Sequence, residues 1–225
     1  MSTPEGTPPP PPSAPQPGAA GPVASAVAVP NPSGPPSPPY PVQLEISYPE
    51  ELNRWLPFVK GILAFPHWIA LFFVGIGAFV MLIYAWFAVL FTGRYPRSAF
   101  DFITGVLRWA ARVGAYVYFM TDAYPPFSLE DDPNYPVRLA IEYPEGIARW
   151  RPLIQGLLAF PALIGAWVLA IVANFAAFIA WFAIVFTKRY PRGLFEIVTA
   201  HLRWNARVTA YYYFMTEQYP PFVYG

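Results

Sequence analysis

Two long apolar runs dominate the hydropathy pattern of this chain, residues 67–91 and 162–186, and neither contains a formally charged side chain. A helix of about 25 residues rises roughly 37 Å, which exceeds the ~30 Å of hydrocarbon in a bilayer. Flanking aromatic and basic residues suit the headgroup region on either side. The pattern therefore predicts a transmembrane helix in each run.

A shorter apolar stretch precedes each of these runs. In the first it reads RWLPFVKGILAF and includes Lys60, and it is too short to cross a bilayer. Pro66 and Pro161 stand at the start of the long runs, where the first turn of a helix tolerates proline. We therefore expect a separate short interfacial helix ahead of each span.

A third kind of segment, residues 99–121, has helical periodicity but carries charges on one side. Steps of 3, 4 and 4 residues place its polar side chains on one stripe less than about 90° wide. This arginine stripe consists of Asp101, Thr104, Arg108 and Arg112, and it recurs as Glu196, Thr199, Arg203 and Arg207. Small residues beside the stripe suit close packing in a membrane bundle.

Residues 40–49 and 135–144 alternate in the manner of strands. Val42, Leu44 and Ile46 alternate with polar neighbours, which is the period-2 pattern of a half-buried strand. We expect these segments to form a small sheet that covers one end of the helical bundle. The acidic run Glu130 to Asp132 between the repeats is interpreted as a solvated turn.

From Tyr40 onward the chain is built twice, and the copies align without a gap at a shift of 95 positions. YPVQLEISYPEELNRW returns as YPVRLAIEYPEGIARW, AWFAVLFTGRYPR as AWFAIVFTKRYPR, and YFMTDAYPPF as YFMTEQYPPF. This internal repeat divides the chain into units 40–132 and 133–225. Residues 1–39 contain half of the 30 prolines and no Lys or Arg, which predicts a disordered tail with polyproline II character.

The doubled motifs RW.P, FP, RYPR, LRW.AR and YPPF resemble the bacterial membrane family called domain of unknown function 4389 (DUF4389). The resemblance covers nearly everything after the tail, with one family unit in each copy. It implies a multi-pass bacterial membrane protein. It implies no activity, so the residues must carry the functional argument.

Composition narrows the function classes further. With 56% hydrophobic and 12% charged residues and a net charge of +1, the chain has the composition of a membrane protein and no electrostatic footprint for nucleic acid. The absence of cysteine excludes disulfides, thiolate metal sites and a cysteine nucleophile. His67 and His201 are not repeated between the copies, and no catalytic motif is present. We expect neither an enzyme nor a cofactor.

Two topologies fit the arginine stripe. If its helices lie in the interface, each unit crosses once and the copies face opposite ways. Because both copies keep the basic RYPR loop, we favour parallel copies with two crossings each. Arg108 and Arg203 then lie near mid-membrane, at a cost of about 2.5–3.5 kcal/mol when unpaired. They would pair with Asp101 or Glu196 across a pseudo-twofold, bind an anionic lipid headgroup, or line a transport pathway.

Together these patterns predict an all-α membrane protein built from duplicated two-helix units, about four transmembrane helices in all, with short interfacial helices and small strand segments outside the bilayer. The expected location is the cell membrane, as a multi-pass protein. The expected partners are the lipid bilayer and other membrane proteins. The favoured function is a non-catalytic accessory or scaffold subunit, and the alternative is a lipid or small-solute binding or transport protein that uses the arginine stripe.

Overall fold

The computed structural model of the chain describes residues 40–221. The predicted disordered tail, residues 1–39, lies outside the described residues, as do residues 222–225. The elements in chain order are β1 (Val42–Ile46), α1 (Leu56–Thr92), α2 (Arg97–Val117), β2 (Val137–Ile141), α3 (Arg151–Thr187) and α4 (Arg192–Tyr212). Each repeat therefore contributes one strand, one long helix and one shorter helix.

The long helices α1 and α3 are continuous over 37 residues, with Pro66 and Pro161 inside them. The expected separate interfacial helices are therefore wrong. An internal proline removes one backbone hydrogen bond and crowds the preceding turn, but the helix continues through it because residues on both sides are packed against the rest of the fold. In α1, Lys60, Ala64 and His67 are all buried on the same face, so the packed stripe passes Pro66 without interruption.

A phenylalanine in a left-handed conformation lies two residues beyond the end of each shorter helix, α2 and α4. Phe119 has φ 64° and Phe214 has φ 51°, a region that bulky side chains rarely adopt. The next amide, that of Met120, donates to the Ala115 carbonyl at 2.9 Å, and Met215 does the same in the second copy. This bond pattern closes a helix without a glycine, and it ends α2 four residues before the predicted boundary at residue 121.

The predicted strands are confirmed as a two-stranded antiparallel sheet of β1 and β2. Leu44 faces Leu139 at its centre, and both side chains are buried against α2 and α4. Glu45 lies opposite Arg138 on the outer face, where opposite charges stabilise a cross-strand pair. The sheet thus has an apolar inner face and a polar outer face.

The two copies run antiparallel to each other, related by a pseudo-twofold axis. Leu139 is the repeat equivalent of Leu44, so the central pair of the sheet joins equivalent residues. The long helices follow the same relation. Phe58, near the start of α1, lies 4.9 Å from the ring of Trp181 near the end of α3, while Trp86 donates its indole N–H to Pro152 at 2.9 Å. The expectation of parallel copies is wrong, because antiparallel pairing of equivalent strands requires opposed chains.

The helices form two layers beneath the sheet. The sheet packs on α2 and α4, which pack in turn on α1 and α3. Within residues 40–221, only α1 and α3 are long and apolar enough to cross a membrane, with mean hydropathies of 2.3 and 2.5. The helices α2 and α4 are amphipathic instead, so the four predicted crossings are not confirmed.

Gly105 on α2 lies against the backbone that leads to β2. A Cβ atom there would lie 2.8 Å from Cβ of Leu129 and 2.9 Å from its carbonyl oxygen. We expect Gly105→Ala to lower the free energy of unfolding by about 1–3 kcal/mol, because helix and backbone must separate. Gly75→Ala, at an open position in α1, is the matched control and should leave stability unchanged or slightly raised. Unfolding in detergent measures both variants, and equal effects would contradict this contact.

Candidate functional site

The arginine stripe of each shorter helix faces the sheet. Arg108 donates its Nε–H to the Leu139 carbonyl at 3.2 Å and an Nη1–H to the Leu129 carbonyl at 2.9 Å. In the other copy, Arg203 donates its Nε–H to the Leu44 carbonyl at 2.9 Å. One arginine of each copy therefore contacts the central residue of a strand.

These contacts satisfy the outer edges of the sheet. Ser47 donates to Pro136, and Glu142 donates to Pro41, across the ladder. Because the pattern alternates with period 2, the carbonyls of Leu44 and Leu139 point away from the partner strand. Unpaired edge carbonyls are costly when buried, and the guanidinium groups supply the missing donors.

The second arginine of each stripe lies deeper. Arg112 is fully buried and donates to the carbonyls of Ser128 at 3.4 Å and Glu130 at 2.8 Å. Its guanidinium carbon lies 5.6 Å from the ring centre of Tyr135, and burial raises the pKa of that phenol, so it stays neutral. Arg207 lies 5.4 Å from the equivalent ring of Tyr40. Each deep arginine therefore contacts the tyrosine that precedes a strand, which favours a cation–π interaction.

Asp131 is the carboxylate that the arginines of α2 share. It lies 2.9 Å from Nη2 of Arg138, 3.8 Å from Nε of Arg108 and 4.0 Å from Nη2 of Arg112. The hydrogen bond from Arg138 and the nearby arginines lower the pKa of Asp131. The interpretation of this acidic run as a solvated turn missed the ion pairs of Asp131 with arginine. Arg138, seven residues later in the sequence, was a signal for them.

The remaining members of the stripe have other surroundings. Asp101 and Glu196 are exposed, and neither forms an ion pair within residues 40–221. The expected pairing of Arg108 with these carboxylates across the pseudo-twofold is therefore not found. Thr104 and Thr199 are buried, and no described residue hydrogen-bonds to their hydroxyl groups. A role of the stripe in binding lipid stays a prediction.

A second polar contact joins each long helix to the end of the shorter one. Lys60, buried in α1, lies 2.8 Å from Asp122 and donates to the Thr121 carbonyl at 2.8 Å. The equivalent of Lys60 in α3 is Gln155, which donates to the Tyr211 and Thr216 carbonyls at 2.6 Å and 2.9 Å. The sequence pattern had placed Lys60 in an interfacial helix. In the structure Lys60 is an internal hydrogen-bond donor, and the side-chain amide of Gln155 takes its place in the second copy.

The histidines lie among aromatic rings. Nδ1 of His67 accepts a hydrogen bond from the Trp109 indole at 3.1 Å, and its ring stacks 3.9 Å from that of Phe127. His201 contacts the ring of Tyr118 at 5.7 Å. In the part of the chain that the structure describes, no three His, Asp or Glu side chains come together in a way that could bind a metal ion.

The fold and site define a duplicated helical protein with two helices suited to a membrane and an internal arginine site. Family comparison agrees with the duplication. The chain belongs to the family described as domain of unknown function (DUF4389), whose model matches residues 55–128 and 149–223. The predicted family and its two tandem copies are confirmed, and both strands lie outside the matched ranges. No curated protein and no solved structure is significantly similar to the chain.

We expect Arg112→Leu to destabilise the protein by about 2–4 kcal/mol, because the carbonyls of Ser128 and Glu130 lose the hydrogen bonds from a fully buried guanidinium. Arg138→Leu is the matched control. Its side chain is largely exposed in the ion pair with Asp131, and such a pair is worth less than about 1 kcal/mol. Denaturant unfolding in detergent compares them, and a similar loss in both variants would contradict the internal role of Arg112.

The lowered pKa of Asp131 predicts a pH dependence. Its ionised form stabilises the fold above the ordinary value of 3.8, and this contribution disappears as the pH falls through the lower folded value. Asp131→Asn should therefore be less stable than the native chain near pH 7, with a difference that shrinks below about pH 4. Unfolding midpoints across this range provide the measurement, with Glu130→Gln as control. A difference independent of pH would refute the assignment.

Proposed function

We propose that the protein is a non-catalytic component of the cell membrane that acts by association, as an accessory or scaffold subunit. The observation that supports this most is the exposed surface of α1 and α3, which is aromatic and aliphatic along both helices. Surfaces of this kind contact lipid or other apolar proteins. The arginine donors, by contrast, are engaged with backbone carbonyls inside the fold.

An apolar groove on this surface is the proposed contact site for a partner helix. Its volume is about 600 Å³, and it is lined by residues of α1, of α3 and of the C-terminal half of α2. Aromatic rims around a small-residue floor suit helix packing in membranes. The lining residues are Trp68, Leu71, Ala110, Val113, Gly114, Val117, Tyr118, Phe119, Asn174, Ala177 and Phe178.

Photo-crosslinking in native membranes tests the association. A benzophenone amino acid at Trp68 or Phe178, on the rim of the groove, should give one protein adduct of constant mass. The repeat equivalents Leu163 and Ile83 are also exposed and serve as matched controls, since the cavity at the equivalent place is smaller, about 120 Å³, and neither residue lines it. Lipid adducts alone at all four positions would contradict a protein partner.

A second candidate is a protein that binds an anionic lipid or small solute. The observation in its favour is a cavity of about 410 Å³ on α3 and α4, lined in part by Glu196 and Arg203 of the stripe. If this cavity holds a lipid headgroup, Arg203→Gln should reduce the anionic phospholipid that co-purifies. Arg108→Gln is the control, because Leu129 covers the equivalent place in the first copy. Equal lipid content in both variants would exclude this candidate.

A further inference from the structure

The apolar surface of the long helices is too long for an upright crossing. Exposed apolar side chains extend from Phe58 to Phe91 on α1 and from Leu153 to Phe186 on α3. Each surface is about 50 Å long, compared with about 30 Å of hydrocarbon. To fit, the helices would have to tilt by more than about 50°, beyond the usual range of about 0–40°.

The sheet lies beside the middle of the helices rather than at an end. Arg108 and Arg203, which contact its edges, are central residues of α2 and α4. Leu107, also central in α2, lines a cavity together with Ala78 near the centre of α1. The sheet is therefore level with the midpoint of the bundle.

The outer face of this sheet is polar. Gln43, Glu45 and Arg138 are exposed on it, and Asp131 lies beside it. If the helices stood upright, these groups would lie against lipid at the centre of the bilayer. Charged side chains and irregular backbone do not face hydrocarbon at that depth. An upright orientation is therefore incompatible with the position of the sheet.

Both ends of the bundle gather basic side chains. At one end the Leu52 amide donates to the Lys188 carbonyl at 2.9 Å, and at the other Ile147 donates to Gly93 at 2.9 Å. Basic residues and tryptophan favour anionic headgroups. The residues brought together are Arg54, Trp55, Lys188, Arg189 and Arg192 at one end, and Arg94, Arg97, Arg149, Trp150 and Arg151 at the other. A carboxylate accompanies the basic groups at each end, Glu51 beside Arg54 and Lys188 at one and Glu217 at 3.6 Å from Arg151 at the other. The similar charge of the two ends fits two ends that meet the same headgroup layer.

We infer that the protein lies flat in one leaflet of an anionic bilayer, as a monotopic protein. The helices α1 and α3 lie in the plane of the hydrocarbon, and the sheet faces water on the same side. The pseudo-twofold axis is then parallel to the membrane normal. Equivalent residues of the two antiparallel copies therefore lie at the same depth in the membrane. This inference rests on the membrane attachment in the proposed function, but it requires no protein partner.

Labels along one face of α1 test the orientation. Phe58, Phe65, Phe72 and Phe79 are exposed at seven-residue intervals, and the native chain has no cysteine. Single cysteines at these positions carry a fluorophore in vesicles of phosphatidylcholine and phosphatidylglycerol. Spin labels at known depths in the lipid then report the depth of each site. We expect four equal depths. In a crossing helix each label from Phe58 to Phe72 would lie about 10 Å deeper than the one before it, and such a gradient would overturn the inference.

A second measurement uses the ends of the shorter helices. Cysteines replace Ser98 and Gly193, both of which are exposed, and an impermeant thiol reagent is added outside sealed vesicles. Because the copies are antiparallel, a crossing protein places these sites on opposite sides, and a flat one places them on the same side. Labelling of only one site overturns the inference. Four unquenched α1 labels also overturn it, since another protein copy would then cover the surface. Neither of these results determines the outcome of the crosslinking in native membranes, so the orientation and the protein partner are tested separately.

Discussion

The hydrogen bonds from arginine to the edge carbonyls of the sheet are the interaction on which the architecture depends. A two-stranded sheet has two open edges, and it is marginal by itself in water. Arg108 and Arg203 close these edges from below, while Arg112 fixes the segment that leads to β2. These bonds join helix, loop and strand, so the edge carbonyls of the sheet are satisfied within the chain.

This arrangement explains why the repeat carries two arginines one turn apart in an apolar setting. The first reaches the strand edge and the second reaches the tyrosine or loop beside it. Lysine would serve poorly at the first position, because a guanidinium offers several donors in a fixed plane. Asp131 adds a counter-charge in the first copy, so the positive charge of the pair is partly balanced within the fold.

The copies have diverged where the pseudo-symmetry does not require identity. Lys60 with Asp122 in one copy corresponds to Gln155 bonded to two carbonyls in the other. His67 fills a ring-lined space where the second copy has only Ala162. Lys60 and Gln155 each supply the hydrogen bonds at the junction between the long and the short helix of their own copy. The paired strands, in contrast, must keep their register, because a one-residue shift would expose Leu44 and Leu139.

Local pattern in the sequence was sufficient for part of this architecture. The strands and the alignment of the stripe follow from periods of 2 and 3.6 residues, which depend on near neighbours. The repeat follows from comparing the sequence with itself at a shift of 95 positions. The continuity of α1 past Pro66, the antiparallel copies and the contact of Arg108 with Leu139 could not be read from local pattern. They depend on residues far apart in the chain. Only tertiary packing decides which carbonyl a guanidinium contacts, because a guanidinium can donate to any carbonyl that the fold brings within reach.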